Sequence, residues 1–563
     1  MANIEFYSKI EDNLRNNHSQ HIIEGINGTK HDFNQLLEMV NKKYETIQSQ
    51  NLRNNVIVYM TSTSECLATI LAIWKSNRTY VPINISTPNK RVEYIKNSLG
   101  NYSEVKINEL GNLEIISHKG EPVTSKINNI AYIIFTSGTT GNPKGVKISY
   151  DNLEYLFRAL GKKFNFKKAT DTWINLHSLE FDFSIWEIFG SLYYCHNLVL
   201  LGKNIKIYEF DKIAQLISNE QVTILNQTPS AFFTLINYLK ISELEHLNTI
   251  IFGGEKLDYS ELAKVYTEYH KEKNIEFYNL YGITEITIHA TFHKIIDEDF
   301  KTTSTISNIG RGIFDDNVYL EKTTYSDKLE IVVKGATVSE GYINNNSETN
   351  KKFKNIFNNR LYFSGDIGEY LPNGEINYIG RADNQIELNG YRIELDDIKQ
   401  NIFNTTNSIK NIFIIKHNNK LAVFYILDKD KRLDLDLLKT KLQNTLPSYM
   451  IPSYYIPITK IPLTTNGKVD TDRLQRLLNK KIEDNTPQKR NNLTEFEEWL
   501  IKSYKLDVNN FEQINFTEIG LTSMELISLH EKISSTFKLK KEISIVDFFQ
   551  FSSIKAFELE FLE

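Results

Sequence analysis

Three stretches of the sequence combine residue types and spacings that could do chemistry. The first is YIIFTSGTTGNPKG at residues 132–145. An apolar, strand-like run enters a loop with three glycines, Gly138, Gly141 and Gly145. The loop also holds Thr136, Ser137, Thr139, Thr140, Asn142 and Lys144. Backbone N–H groups and hydroxyls of such a loop can surround a polyphosphate, with the ammonium as counter-charge. It is not a Walker A loop, because G-x-x-x-x-G-K-[ST] is not satisfied. A flexible surface turn has similar composition; the strand before it and the density of donors favour phosphate. The second stretch is LEFDFSIWE at 179–187. Asp182 there either caps the helix that follows or is a buried carboxylate in need of a cationic partner. The third is FTEIGLTSMEL at 516–526, where Thr522 or Ser523 stands at a helix start, the place of an N-cap.

The elements around these residues alternate. Residues 55–60, 80–83, 222–225 and 249–252 read as short buried strands, and 65–76, 212–219, 231–239 and 260–271 as helices. Continuous apolar strands separated by helices predict a parallel sheet covered on both faces, with ligands at the carboxyl ends of the strands. From about residue 380 the pattern becomes that of a small α+β domain of about 100 residues, given the usual domain sizes. Residues 480–492 are charged, polar and contain a proline, which reads as a linker. Beyond them lies a helical bundle, with Leu526, Ile527, His530, Ile533 and Phe537 on one helix face.

Composition narrows the class. The 563 residues predict three or four domains. A hydrophobic fraction of 41% and a charged fraction of 24% exclude a disordered chain. No apolar run approaches membrane-helix length and no leader sequence is visible, so a cytoplasmic protein is expected, with no membrane and no nucleic-acid partner. Two cysteines, Cys66 and Cys195, cannot build a disulfide framework. The net charge of −5 is uneven: residues 491–563 hold 13 acids and 7 bases, so that the remainder is near neutral.

The loop at 132–145 resembles the phosphate loop of the adenylate-forming (ANL) enzymes, which include acyl-CoA synthetases, luciferases and nonribosomal peptide synthetase adenylation domains. Further motifs follow in the family's order: LAIWKSNRTYVP at 71–82, NLYGITE at 279–285 with Ile283 in place of proline, and YFSGD at 362–366. GRADNQ at 380–385, NGYRIEL at 389–395, LPSYMIP at 446–452 and NGKVD at 466–470 complete the set. The resemblance implies that Thr136, Ser137, Gly138, Thr139, Thr140 and Lys144 contact ATP phosphates. Tyr281 would stack on adenine with Asn279 at its edge, Asp366 would accept the ribose hydroxyls, and Arg381 would lie at the ribose–phosphate. Thr284 would touch the α-phosphate, Glu285 would ligate Mg²⁺, Lys468 would stabilise the adenylation transition state, and Asp383 would be the hinge.

The stretch at 179–187 resembles the motif by which amino-acid adenylation domains differ from fatty-acid ones, with Asp182 on the substrate ammonium. The family's pocket positions are Asp182, Phe183, Trp186, Asn226, Ile251, Gly253, Leu280, Ile288, His289 and Lys468. The set resembles that for threonine, departing only at Leu280 and Ile288. Asn226 and His289 offer hydrogen-bond partners for a hydroxyl, and an analogue without one would leave them unpaired. The stretch at 516–526 resembles a carrier-protein motif, with Ser523 receiving 4′-phosphopantetheine and Thr522 replacing the usual aspartate.

The expected architecture is α/β and multidomain. It comprises a large ANL-type subdomain of layered parallel sheets and helices (1–380), a small mobile α+β subdomain (381–480), a linker (481–492) and a four-helix peptidyl carrier (493–563). The expected activity is ATP-dependent formation of threonyl-AMP and transfer to the phosphopantetheine thiol on Ser523. Expected partners are a phosphopantetheinyl transferase, a condensation or tailoring enzyme acting in trans, and a small MbtH-like protein. Serine or 2-aminobutyrate on the same machinery is the alternative; an acyl-CoA ligase or an inactive carrier scaffold explains fewer of these residues.

Overall fold

The computed structural model describes residues 5–562 apart from 27, 51, 121–128, 137–141, 165, 167–169, 208, 241–243, 302–305, 315, 323–327, 357–358, 383–384, 389–390, 418–419, 429–430, 461, 463–468, 485–493, 505–515, 517–528, 531, 534–535, 542, 544–546 and 552. The chain forms two compact units, Met1–Asp397 and Ile398–Glu563. The sequence puts the first division after residue 380. The structure puts it after the hairpin of Gln385–Leu388 and Tyr391–Glu394, which groups with the first unit.

Two sheets dominate the first unit. The six-stranded sheet has the parallel strands Tyr102–Ile107, Asn55–Met60, Thr79–Asn84 and Ile130–Thr136 at its centre. Lys144–Ser149 closes one edge antiparallel to Ile130–Thr136 and brings Thr136 opposite Lys144. The larger sheet, of fourteen strands among the described residues, has a parallel run Asn197–Leu200, Thr172–Asn175, Ile224–Gln227, Thr249–Phe252 and Glu276–Asn279. Ile224–Gln227 and Thr249–Phe252, at the middle of this run, are short and buried along their length, as strands covered on both faces must be. After Asn279 the sheet turns antiparallel, through Thr291–Lys294, Asn308–Gly312 and Ile376–Arg381 to Asn359–Tyr370.

The helix Phe183–Tyr194 is buried on almost every side, which accounts for its uninterrupted apolar sequence. Trp186 packs on Trp173 and Phe157, with ring centroids 5.2 and 5.4 Å apart. This helix and the carboxyl ends of the parallel strands frame the site.

The second unit contains the sheet of Ile409–His417, Lys420–Leu427 and Tyr454–Pro457. Phe424, Ile456, Leu474 and Leu478 share its core, so the helix Thr471–Asp484 is held by its leucines. That helix runs four residues into the segment expected as linker. Beyond it, the helices Glu495–Tyr504 and Ile554–Phe561 enclose a core with Phe496, Leu500, Phe516, Phe548 and Phe557. Among the described residues no helix is long and apolar enough to cross a membrane.

Candidate active site

The strand ends carry the first group of site residues. Register places Asn226 opposite Ile251 and Phe252 opposite Asn279. Leu280 continues the ladder by donating its N–H to Phe252 O at 2.9 Å. The chain then makes a tight 3₁₀ turn, Thr284–Ile286, and two residues in the left-handed region, Thr287 (φ 62°) and Ile288 (φ 66°). A β-branched residue there costs about 1–2 kcal/mol, so the turn must be held from outside. Thr287 Oγ1 donates to Thr337 O at 2.6 Å, Ser339 N–H to Glu285 O at 2.9 Å, and Ala290 N–H to Tyr281 O at 2.7 Å. Gly282 is required, because a Cβ there would lie 1.8 Å from Ile288 O. The turn carries the His289 ring to 5.3 Å from Phe183 and 5.5 Å from Trp186, perpendicular to the latter.

Asp182, Trp186, Asn226 and His289 are all at most 3% exposed. Each has polar side-chain atoms without a hydrogen-bond partner: Asp182 Oδ2, Trp186 Nε1, Asn226 Oδ1, and both nitrogens of His289. Leaving such an atom bare costs about 1–3 kcal/mol. Five such atoms lie on these four residues. Burial pushes the Asp182 carboxyl up to about 6 against the hydrogen bond from Thr284, and pushes His289 down to about 3. Asp182 precedes the helix Phe183–Tyr194 but makes no capping hydrogen bond, so the N-cap reading of this residue is withdrawn. Ile251, Leu280 and Ile288 are buried and apolar. Gly253 is in contact with Phe183: a Cβ would lie 2.7 Å from its ring and 3.0 Å from Leu280 O.

In the second group, Asn279 and Tyr281 line an open cleft together with Gly254, Gly282, Ser307 and Tyr378, among others. Tyr281 donates its hydroxyl to Asp366 Oδ2 at 2.6 Å, and Arg381 Nη1 holds Asp366 Oδ1 at 2.8 Å. Register on the sheet sets Asp366 opposite Arg381. Asn279 Nδ2 donates to Asn308 O at 2.7 Å.

The third group is charged. Glu285 is 3% exposed; Tyr342 donates its hydroxyl to Oε1 at 2.8 Å, and Arg392 Nη1 lies 3.3 Å from Oε2. Burial acts to raise the Glu285 carboxyl, but Arg392, the Tyr342 hydroxyl and Lys144 together hold it below its ordinary value. Lys144 Nζ lies 3.1 Å from Glu348 and 5.7 Å above the Tyr342 ring.

Ring contacts thus join Phe183, Trp186 and His289, Gly253 packs against Phe183 and Leu280, and Asn226 pairs in register with Ile251, while Asp182 and Ile288 adjoin Phe183 and His289 in the chain. Asn279, Tyr281, Thr284, Glu285, Asp366 and Arg381 lie on the adjoining segments, and Thr136 and Lys144 flank the glycine-rich loop. Ser137, Gly138, Thr139, Thr140, Asp383, Lys468 and Ser523 lie outside the described residues. Sequence reasoning missed three participants. Arg392 sits inside the quoted motif at 389–395 without a role, Tyr342 has no local signal, and Glu187 ends the motif at 179–187.

Residues 97–343 match the family model described as AMP-binding enzyme. Dimodular nonribosomal peptide synthase of Bacillus subtilis (strain 168) is 33% identical over 358 residues, 61% of this chain and 15% of that protein. Syringomycin synthase SyrB1 of Pseudomonas syringae pv. syringae is 28% identical over 536 residues, 87% of this chain and 84% of that protein. The chain therefore spans a small part of the first relative, 15%, and most of the second, 84%. The fold is similar to that of holo-PA1221, described as an NRPS protein containing adenylation and PCP domains bound to a vinylsulfonamide inhibitor. The TM-score is 0.76 at 21% identity, covering 98% of this chain and 96% of that one. Residues 97–343 thus carry the AMP-binding enzyme match, and the chain is similar in sequence to nonribosomal peptide synthetases and in fold to a protein with adenylation and PCP domains.

Proposed function

We propose that the chain activates an amino acid with ATP, and that the amino acid is L-threonine. The observation that carries this reading is the set of unpartnered buried atoms on Asp182, Trp186, Asn226 and His289. An α-ammonium is the partner that Asp182 Oδ2 lacks, and a fatty acid would leave that carboxylate bare at high cost. A hydroxyl suits Asn226 Oδ1 and a neutral His289, while Phe183, Ile251 and Ile288 suit a methyl group. Serine fits the polar end but fills less of the apolar wall. 2-Aminobutyrate fills it but leaves the polar atoms bare.

In the proposed reaction the amino-acid carboxylate attacks the α-phosphorus, the bond to the bridging oxygen breaks, and pyrophosphate leaves. The protein's part is positioning and charge neutralisation. Thr136, Ser137, Gly138, Thr139, Thr140 and Lys144 hold the leaving phosphates, and Thr284 lies at the α-phosphate. Tyr281 and Asn279 hold adenine, Asp366 the ribose hydroxyls, and Arg381 the ribose–phosphate. Lys468 offsets the charge that develops between carboxylate and α-phosphate. Glu285, a buried carboxylate kept low by its neighbours, has the hard oxygen ligands that suit Mg²⁺. Bound there, the metal supplies positive charge at the phosphates.

Asp383 is the proposed hinge, and residues 493–563 the proposed carrier. The acidic balance of that segment, its aromatic core and the likeness to a protein with adenylation and PCP domains support this part. 4′-Phosphopantetheine on Ser523 would supply the thiol that accepts the acyl group. A phosphopantetheinyl transferase, a condensation or tailoring enzyme and an MbtH-like protein are the proposed partners, in the cytoplasm.

Pyrophosphate exchange with a panel of amino acids tests the reading. Threonine is expected to give the highest rate. Exchange with none overturns the activity, and a different winner overturns the substrate alone. Intact mass after phosphopantetheinylation, with Ser523→Ala as control, tests the carrier; an unchanged wild-type mass overturns it.

A further inference from the structure

Glu187 lies in the helix Phe183–Tyr194, one residue after Trp186, and is 0% exposed. Its two oxygens have different surroundings. Oε2 accepts from Asn175 Nδ2 at 2.7 Å and from the backbone N–H groups of Leu176 and His177 at 3.1 and 3.2 Å. Oε1 pairs with His177 Nδ1 at 2.6 Å and with Asn226 Nδ2 at 3.3 Å. A carboxylate accepts hydrogen bonds and donates none. The amide of Asn226 therefore has one stable orientation, with its NH₂ group toward Glu187. Turned over, it would set its carbonyl oxygen against Oε1. The orientation leaves Asn226 Oδ1 as the buried atom without a partner, on the strand end beside Ile251.

We propose that Glu187 is a positioning residue for substrate choice. By holding the Asn226 NH₂ it presents the Asn226 carbonyl oxygen to the substrate side chain, and so selects a side chain that donates a hydrogen bond. This rests on the amino-acid pocket described under Proposed function. It adds a direction to the hydrogen bond and names the residue that sets it. A hydroxyl or an amine meets the requirement; an acceptor-only or purely apolar side chain leaves Oδ1 bare, and a site built around such a bond discriminates strongly.

A double-mutant cycle on the full chain tests this. In Glu187→Gln the three donors around Oε2 keep the new carbonyl oxygen in place. The new NH₂ then faces Asn226, whose amide turns over and offers a donor to the pocket. Asn226→Asp sets two carboxylates in contact. The double variant E187Q/N226D restores the bond with its direction reversed and keeps an oxygen toward the substrate. The readout is the ratio of kcat/KM for threonine to that for valine, its isostere without the hydroxyl, with the melting temperature of each variant alongside. Each single variant is expected to lower the ratio about tenfold or more, and the double variant to recover to within about threefold of wild type. Single variants that slow threonine and valine alike, or losses that simply add in the double variant, overturn the proposal. Asn226→Ala leaves the other bonds to Glu187 in place and decides the matter if Glu187→Gln does not fold. It is expected to lose the same preference, and an unchanged ratio overturns the proposal. If wild type prefers serine, the threonine reading alone falls, and the cycle is scored with serine against 2-aminobutyrate. A wild-type preference for an amino acid whose side chain offers no donor overturns the proposal while leaving amino-acid activation standing.

Discussion

Arg392 Nη1 lies 3.3 Å from Oε2 of Glu285, while the Tyr342 hydroxyl donates to Oε1 of the same carboxylate at 2.8 Å. The hairpin that carries Arg392 therefore supplies a cation at the carboxylate proposed to hold the metal. Arg392 is itself steadied by Gln385, whose Oε1 accepts from its Nε at 2.7 Å.

Arg392→Ala takes from the buried Glu285 carboxylate the cation that pairs with it directly. Breaking such a pair costs about 3–5 kcal/mol when fully buried, and less here because the Arg392 side chain is 20% exposed. A loss of about 1–3 kcal/mol is expected in thermal unfolding without ligand, with part of it recovered in Mg·ATP. An equal loss with and without Mg·ATP contradicts the shared role of Glu285.

Asp182 gives the unliganded protein a pH dependence. Its carboxyl is raised from 3.8 to about 6 by burial, so the folded state keeps a proton that the unfolded chain releases. Stability therefore falls as pH rises from about 4 to about 6, by roughly 3 kcal/mol. Asp182→Asn removes this slope in denaturant titrations and is more stable than wild type near neutrality. It also loses the ammonium partner, so exchange with the amino acid falls about a hundredfold or more. In wild type the KM for the amino acid rises as pH drops below about 6, because the ammonium needs the ionised form.

Gly253→Ala tests the closeness of the pocket wall. The new methyl would lie 2.7 Å from the Phe183 ring and 3.0 Å from Leu280 O. Overpacking of this kind costs about 1–3 kcal/mol. The melting temperature falls, and exchange with threonine falls further than exchange with glycine. Equal losses for both amino acids would place Phe183 outside the substrate pocket.

His293 tests the support beneath Asn279. Its Nε2 lies 2.9 Å from Asp299 and its Nδ1 3.4 Å from Glu375. Burial lowers the imidazole, but the two carboxylates outweigh it and raise it to about 9. The contribution is present in full below about 6.5 and is lost as pH rises through about 9. Glu375 is held down to about 2, chiefly by its bond to His293, so its own contribution persists to low pH. His293→Gln is expected to flatten the decline in stability between pH 7 and 9.5; an unchanged slope contradicts the ion triad.

The strands were the most legible part of the sequence. The buried run at 249–252 is the strand Thr249–Phe252, and 55–60 is Asn55–Met60, because both faces of each are apolar. The helix expected at 260–271 is Tyr259–Thr267 followed by a π turn, Glu268–Glu272, a local irregularity that periodicity does not encode. Asp182 could be read as a cap or as a buried ligand group, and only its missing capping bond separates the two. Glu187, Tyr342 and Arg392 were not legible as partners of Asn226 and Glu285. Tyr342 and Arg392 come from distant segments, and each pairing depends on packing that no spacing in the sequence records.

The central claim is that the bare atoms on Asp182, Trp186, Asn226 and His289 are the amino-acid site. A crystal structure of the full chain with L-threonine and a non-hydrolysable ATP analogue tests it most directly. The ammonium is expected on Asp182 Oδ2 and the hydroxyl on Asn226 Oδ1, with the carboxylate toward the α-phosphate. Threonine bound elsewhere, or a pocket left closed at saturating amino acid, would contradict the account.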